Sequence, residues 1–358
     1  MNSKAGNKGI EQDGPECLGL KVGDPVPKPP KPLSEEQIMS SCEGSPETPL
    51  LSVLCITYNH APYIEDALNS FLMQETNFPF EIIVHDDAST DGNQAIIKKY
   101  EEKYPRLIRA VYQKENQYSK GRRALGFFQG MSNARYLAVC EGDDYWLDPK
   151  KLQKQVDFLE RNEDYVITGH DALVIDEAGT LIKPSKLLES HKRDYSGDEL
   201  SRDKAWILTM SWVHRNLIED FAPERNMVRN GDNFLVSLLG EFGKSHYHAD
   251  IQPAAYRVHP GGVWSMADQR SRMDDGLNTR FWMYRYYKRV GKQELADHFQ
   301  AEYQRRVLRD ISAKEMIQES FRRLINGSGL RALVKRLIGQ QGVSRLREVA
   351  KKFTTRNS

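Results

Sequence analysis

The stretch that most constrains this 358-residue chain is 135–148, where an apolar run stops abruptly in acid. Residues 136–140 are short and apolar, which reads as a buried strand. Glu141-Gly142-Asp143-Asp144 follow at once, then Tyr145 and Trp146. Carboxylates placed there stand at the carboxyl edge of a sheet, where α/β proteins bind their ligands. Three negative charges packed together are costly unless something positive joins them. A hard divalent cation, Mn²⁺ or Mg²⁺, is the natural neutraliser, because carboxylate oxygens suit it. A solvated acidic turn is the competing reading, and a second acidic strand end earlier in the chain favours the metal.

That earlier end belongs to a regular alternation. Residues 50–56 read as a buried strand ending in Thr57-Tyr58-Asn59-His60. Pro62 then suits a first helical turn, and Ile64, Ala67, Leu68, Phe71 and Leu72 share one helical face. Residues 80–85 form a second strand, ending in Asp86-Asp87-Ala88-Ser89-Thr90-Asp91-Gly92. A helix carrying Ile96, Ile97 and Tyr100 follows, then a strand at 107–112, a helix at 122–133 and the strand at 136–140. Strands alternating with helices predict an α/β fold built on a Rossmann-like, mixed but mainly parallel sheet flanked by helices. Asp86 has the chemistry to accept the N3–H of a uracil-like base, and Tyr58 offers an aromatic face for that base. Thr57 and Asp87 complete the nucleotide contacts expected at these two strand ends. For Asp91 the expectation is a helix cap.

Overall charge excludes less than the motifs do. A net charge of +1 gives no argument for nucleic acid. No apolar run has the length to span a bilayer, and the polar N-terminus lacks the apolar core of a signal peptide. Cys17, Cys42, Cys55 and Cys140 show neither metal-ligand nor disulfide spacing, so a reduced, cytoplasmic protein is expected. Residues 1–48 lack periodicity and are expected to be a disordered or loosely packed extension.

Residues 52–59, 81–92 and 136–146, taken in order, resemble the nucleotide-sugar-binding half of the inverting glycosyltransferases of family 2, which have the GT-A fold. Their pattern is a strand ending Thr-Tyr-Asn, a strand ending Asp-Asp-Gly-Ser-Thr-Asp, and a strand ending in an Asp-x-Asp metal motif. Here Ala88 replaces the Gly and Glu141 the first metal-motif Asp. The resemblance implies a catalytic domain over 49–268, a nucleotide-sugar donor such as a UDP-sugar, and a glycan or lipid-linked acceptor in surface polysaccharide synthesis. It also implies a metal held chiefly by Asp143, with Glu141 and Asp144 beside it.

In the second half, 165–175 and 206–212 read as strands, 176–183 as a hairpin turn, and 186–203 as a mobile loop. Asp232 sits where the family carries its general base, although Gly231 stands in place of the usual Glu before it. An inverting transfer needs one carboxylate to take the acceptor hydroxyl proton. A helix-capping role for Asp232 is compatible with this. Tyr256-Arg257-Val258-His259 resembles a segment found near the end of such domains: Arg257 is expected on phosphate oxygens, and His259 on phosphate or metal.

Residues 269–358 are expected to be helical, covering the domain or mediating self-association into a homo-oligomer. From 321 onward Arg322, Arg323, Lys335, Arg336, Lys351 and Lys352 are interspersed with Leu330, Leu333, Val334 and Leu337. A peripheral contact with the inner face of the plasma membrane and an ordinary solvated helix both fit that pattern. A nucleotidyltransferase would bring a Gly-rich phosphate loop at the first strand, and none is present. A nucleotide-sugar-binding scaffold without catalysis stays open because of Gly231 and Glu141.

Overall fold

The apolar runs of the central strands assemble because they are bounded by turn residues and buried on both faces. A computed structural model describes residues 19–45, 47–121, 128, 130–218, 222–262 and 268–310. In chain order the elements are α1 (Glu35–Ser40), β1 (Leu51–Thr57), α2 (Ile64–Leu72), β2 (Phe80–Asp86), α3 (Asn93–Lys103), β3 (Ile108–Tyr112), β4 (Tyr136–Glu141) and α4 (Lys151–Arg161). There follow β5 (Tyr165–Gly169), β6 (Ala172–Ile175), β7 (Leu181–Lys183), α5 (Gly197–Ser201), β8 (Val213–Arg215), α6 (Gly231–Leu239), β9 (Lys244–Tyr247), β10 (Ala254–Arg257), α7 (Gln269–Arg289) and α8 (Gln293–Asp310).

The main sheet runs β3-β2-β1-β4-β8-β5-β9, and a small second sheet runs β10-β6-β7. In the main sheet β8 alone is antiparallel to its neighbours. Register aligns the functional ends: Thr57 lies opposite Asp86 and Ile56 opposite Glu141. The acidic turns after β2 and β4 therefore share one sheet edge. One face of the sheet is covered by α2, α3 and α4, whose Leu68, Phe71, Ile97, Leu152 and Val156 meet Val53, Ile82 and Ala138. On the other face Leu235 and Leu239 of α6 pack with Leu54, Val139 and Ile167.

Four stretches differ from expectation. Residues 165–175 are two strands in different sheets, parted at His170 and Asp171. Residues 206–212 form an extended stretch and a 3₁₀ turn over Thr209–Ser211 rather than a strand, because Trp212 Nε1 donates back to Ile207 O (3.2 Å) and Trp146 Nε1 to Met210 O (2.7 Å). The segment 186–203 is anchored: Ser196 and Glu199 form a capping box on α5, and Asp171 binds the backbone N–H of Lys186 and Leu187. Nor are residues 19–45 loose. Val26 is buried, Pro25 bridges to Thr180, and Glu35 Oε1 accepts the backbone N–H of Arg106 (2.7 Å) and Leu107 (3.2 Å). The helix expected at 122–133 and the basic region from 321 lie largely or wholly outside the described residues.

The chain divides into two compact units, 1–300 and 301–358. Within the first unit Met283, Tyr287, Ala296 and Phe299 pack on Phe234 and Leu238, so α7 and the start of α8 cover the domain. Among the described residues no helix is long and apolar enough to cross a membrane.

Glu35→Ala removes a buried acceptor from two backbone donors. It should destabilise the fold by about 2 kcal/mol, read as a lower urea midpoint with unchanged slope. An unchanged midpoint would mean that α1 is not part of the cooperative unit.

Candidate active site

Two loops at the shared sheet edge lock together. Asn59 N–H donates to Ser89 Oγ (2.8 Å), Thr90 N–H to Asn59 Oδ1 (2.8 Å), and Ala61 N–H to Asp91 Oδ2 (2.8 Å). Asp91 Oδ1 also accepts from Asn93 N–H at the start of α3, but the cap position is Gly92, so Asp91 ties the loops from just before the helix rather than capping it as expected. Ala88 is held at φ 65°, the left-handed region that the family's Gly adopts cheaply.

Inside this lock Thr57, Asp86 and Asp87 are buried and committed. Asp86 Oδ1 accepts from Ser89 N–H (3.0 Å) and Gln94 Nε2 (2.6 Å), and Oδ2 from Asn93 Nδ2 (2.8 Å). Asp87 accepts the backbone N–H of Gln117 (2.7 Å) and Tyr118 (3.0 Å). Thr57 Oγ1 accepts from Asn93 Nδ2 (3.1 Å). The sequence reading gave these three to a nucleotide; the structure gives their oxygens to the loops that shape the edge. Tyr58 alone of the four stands in solvent, 44% exposed.

The turn after β4 presents Asp143. Gly142 makes this turn fit: a Cβ there would lie 2.7 Å from Thr57 Oγ1 and 2.9 Å from Ile64 Cδ1. His259 Nε2 lies 3.0 Å from Asp143 Oδ2, and Gly261 N–H donates to His259 Nδ1 (3.3 Å), which leaves Nε2 as the ring nitrogen turned to the carboxylate. His60 Nδ1 is buried without a hydrogen-bond partner, 3.7 Å from Asp143 Oδ1. Burial favours the protonated, neutral carboxylic acid, but the His60 and His259 imidazoles outweigh it and hold Asp143 below the usual carboxylate range. Burial lowers the His60 pKa, and Asp143 opposes that shift.

His60, Asp143 and His259 each direct one donor atom to a common region, all within 4.8 Å of one another. The orphaned Nδ1 of His60 and the mixed imidazole and carboxylate donors fit a divalent metal. The sequence reading missed His60. Its signal was a place three residues beyond the β1 terminus, on the edge that carries Asp143.

Glu141 and Asp144 do not join that set. Asp144 Oδ1 accepts Arg257 N–H (2.8 Å). Burial first, then Asp143 and Glu141, push its carboxyl well up. Glu141 is pushed up to about 7 by burial, then by Asp143, with Asp232 adding to the rise.

Arg257 departs most from expectation. It is buried, with Nε donating to Asp143 O (3.0 Å), Nη1 to Glu177 O (3.1 Å) and Asp176 O (3.4 Å), and Nη2 to Asp66 Oδ2 (3.1 Å). A guanidinium bonded in this way holds the fold, with four of its hydrogen bonds going to protein oxygens. β10 ends at Arg257, so strand alternation does not set its relation to His259; the loop beyond brings both side chains to Asp143.

Asp232 lies in the first turn of α6, whose cap position is Asn230 without a side-chain bond, so Asp232 is not the cap. Burial raises its pKa and Asp203 raises it further, while the N–H of Asn233 and the hydroxyl of Thr209 oppose them. Asp203, itself at φ 56°, binds Asn233 Nδ2 (2.6 Å) and Arg280 Nη2 (2.6 Å).

Residues 52–214 match the family profile described as Glycosyl transferase family 2. The uncharacterized protein Rv1520 of Mycobacterium tuberculosis is 37% identical over 227 residues, 61% of this chain and 61% of that protein. The putative teichuronic acid biosynthesis glycosyltransferase TuaG of Bacillus subtilis is 39% identical over 131 residues, 36% of this chain and 49% of TuaG. The chain thus spans about three-fifths (61%) and about half (49%) of these curated relatives. S. aureus TarS in complex with UDP-GlcNAc superimposes with a TM-score of 0.51 at 17% identity, covering 72% of each chain, a likeness of fold.

Gly142→Ala should cost about 1–3 kcal/mol through overpacking against Thr57 and Ile64, read by thermal melting. A variant as stable as the parent would show that the turn can move, and that Asp143 is not rigidly placed.

Proposed function

We propose that this chain is a glycosyl transferase of family 2, a reading supported by the match over residues 52–214, and that it moves a sugar from a nucleotide-sugar, a UDP-sugar foremost, to a hydroxyl of a glycan or lipid-linked acceptor with inversion. The observation that carries this is the convergence of His60, Asp143 and His259 at the sheet edge, with Asp232 acting electrostatically on Glu141 of the same strand end. The name of TuaG supports surface polysaccharide as the destination.

Each residue then has a task. Tyr58 offers its exposed ring for the base, a stacking contact worth about 1–3 kcal/mol. His60, Asp143 and His259 would hold the metal, whose Lewis acidity stabilises charge on the departing diphosphate. Asp232 takes the proton of the acceptor hydroxyl as that oxygen attacks the anomeric carbon. Its raised pKa makes it a stronger proton acceptor than an ordinary Asp. Asn233, Asp203 and Arg280 brace the helix start that carries it.

The test is calorimetric titration of UDP with and without Mn²⁺, beside GDP, CDP and ADP. Metal-dependent binding selective for UDP is expected, and no binding of any of the four would sink the reading. Asp232→Asn should lower turnover by about 10²–10⁴-fold while donor affinity holds; a scaffold would show no turnover to lose.

A base works only when ionised, so the rate falls as pH drops through its pKa. Asp203 raises that pKa, so Asp203→Asn should move the acid limb of kcat/KM to lower pH. A limb that does not move would exclude the assigned influence of Asp203 on Asp232.

A further inference from the structure

With Arg257 enclosed, the phosphate-binding cation expected from the sequence is unfilled. We propose that Lys186 supplies it, its ammonium meeting the diphosphate of the nucleotide-sugar; this rests on the transferase reading above.

Three observations carry the proposal. First, the backbone at Lys186 is fixed. Ser185 Oγ donates to Asp171 Oδ2 (2.5 Å), Lys186 N–H to Ala172 O (2.7 Å) and Asp171 Oδ1 (3.2 Å), and Leu187 N–H to Asp171 Oδ1 (3.0 Å). The side chain thus leaves from a set point.

Second, the ammonium lies 3.3 Å from the centroid of the Tyr256 ring, in the field of Asp144 and Glu141. Tyr256 itself feels Asp144, Glu141 and Asp143, and Arg257 beside it grips Asp143 O. The cation therefore lies in the fields of the two carboxylates that flank Asp143 in the acidic turn.

Third, Lys186 has no carboxylate at ion-pair distance among the described residues, with Lys183 and Arg272 adding like charge to its surroundings, whereas other cations of the domain are paired. Lys28 and Arg257 pair with Asp66, Lys192 with Asp171 and Glu189, and Arg280 with Asp203. Among the described residues the Lys186 ammonium has only its aromatic contact and these longer-range fields.

A partly desolvated cation on an aromatic face holds three N–H donors ready, and an ammonium binds phosphate as a point charge. Placed there, Lys186 stabilises charge that grows on the diphosphate as the sugar departs, so its contribution is larger in the transition state than in the ground state. In chemical class its ligand is a phosphate oxygen of a nucleoside diphosphate.

Lys186→Met in the full chain keeps the aliphatic stem over Tyr256 and removes the charge. The probes are the diphosphate that the parent protein prefers, titrated with Mn²⁺, and the corresponding nucleoside. We expect diphosphate affinity to fall about 10-fold, the loss of one charge-assisted bond, with nucleoside affinity and melting temperature unchanged. The value of kcat/KM should fall about 100-fold, shared between KM and kcat, and Lys186→Arg should restore part of it. Unchanged diphosphate affinity beside a changed acceptor KM would overturn the assignment and leave the transferase reading standing. Equal loss of nucleoside and diphosphate would also overturn it. A parent protein that binds no diphosphate removes both.

Discussion

The site depends on one buried guanidinium. Arg257 joins the backbone of Asp143, the hairpin turn at Asp176 and Glu177, and Asp66 of α2, while its plane lies near the rings of Tyr63 and Tyr145. A charge taken from water is costly unless its donors are met, and breaking one partner leaves the other uncompensated. That cost makes the clamp a geometric device. Pieces from α2, the β4 turn, the small sheet and the segment after β10 are held in one arrangement because no other satisfies the fork. Asp143 is thereby fixed through its own carbonyl, so its carboxylate is free to face the two imidazoles.

Much of the fold was legible because periodicity reports burial directly. Val53, Ile82 and Ala138 face one core and Leu54 and Val139 the other, as strands buried on both faces require. The stretch 186–203 was misread although it carried a local signal, Ser196 followed three residues later by Glu199, the mark of a capping box. The 206–212 stretch had strand-like composition, but its shape follows from two indole N–H groups finding carbonyls, a tertiary fact.

The candidate site was legible in part for a related reason. A sequence shows which residues can donate or accept; it does not show where those bonds are already used. Asp86, Asp87 and Arg257 have the chemistry expected of them, and all three apply it within the fold. His60 carries no motif and becomes visible only when β1 and β4 are set side by side. Ala88 shows the reverse case. Its left-handed backbone looks unfavourable alone, yet the bonds joining Asn59 to Ser89 and Thr90 on one flank, and Asp87 to 117–118 on the other, over-determine it.

The acidic cluster that opened the sequence argument is best understood as divided labour. Three carboxylates at one strand end would repel if all served alike. Their surroundings separate them instead: two imidazoles keep Asp143 ionised, while burial and that same Asp143 charge push Glu141 and Asp144 up. Asp144 uses its position to hold the Arg257 backbone, and Glu141 lies in the fields of Asp232 and Lys186. Neighbouring groups driven to different protonation are how one site holds both acid and base functions near neutrality. The spacing of a short acidic motif therefore carries less information than the charge beside each member, because that charge decides which carboxylate is available to bind.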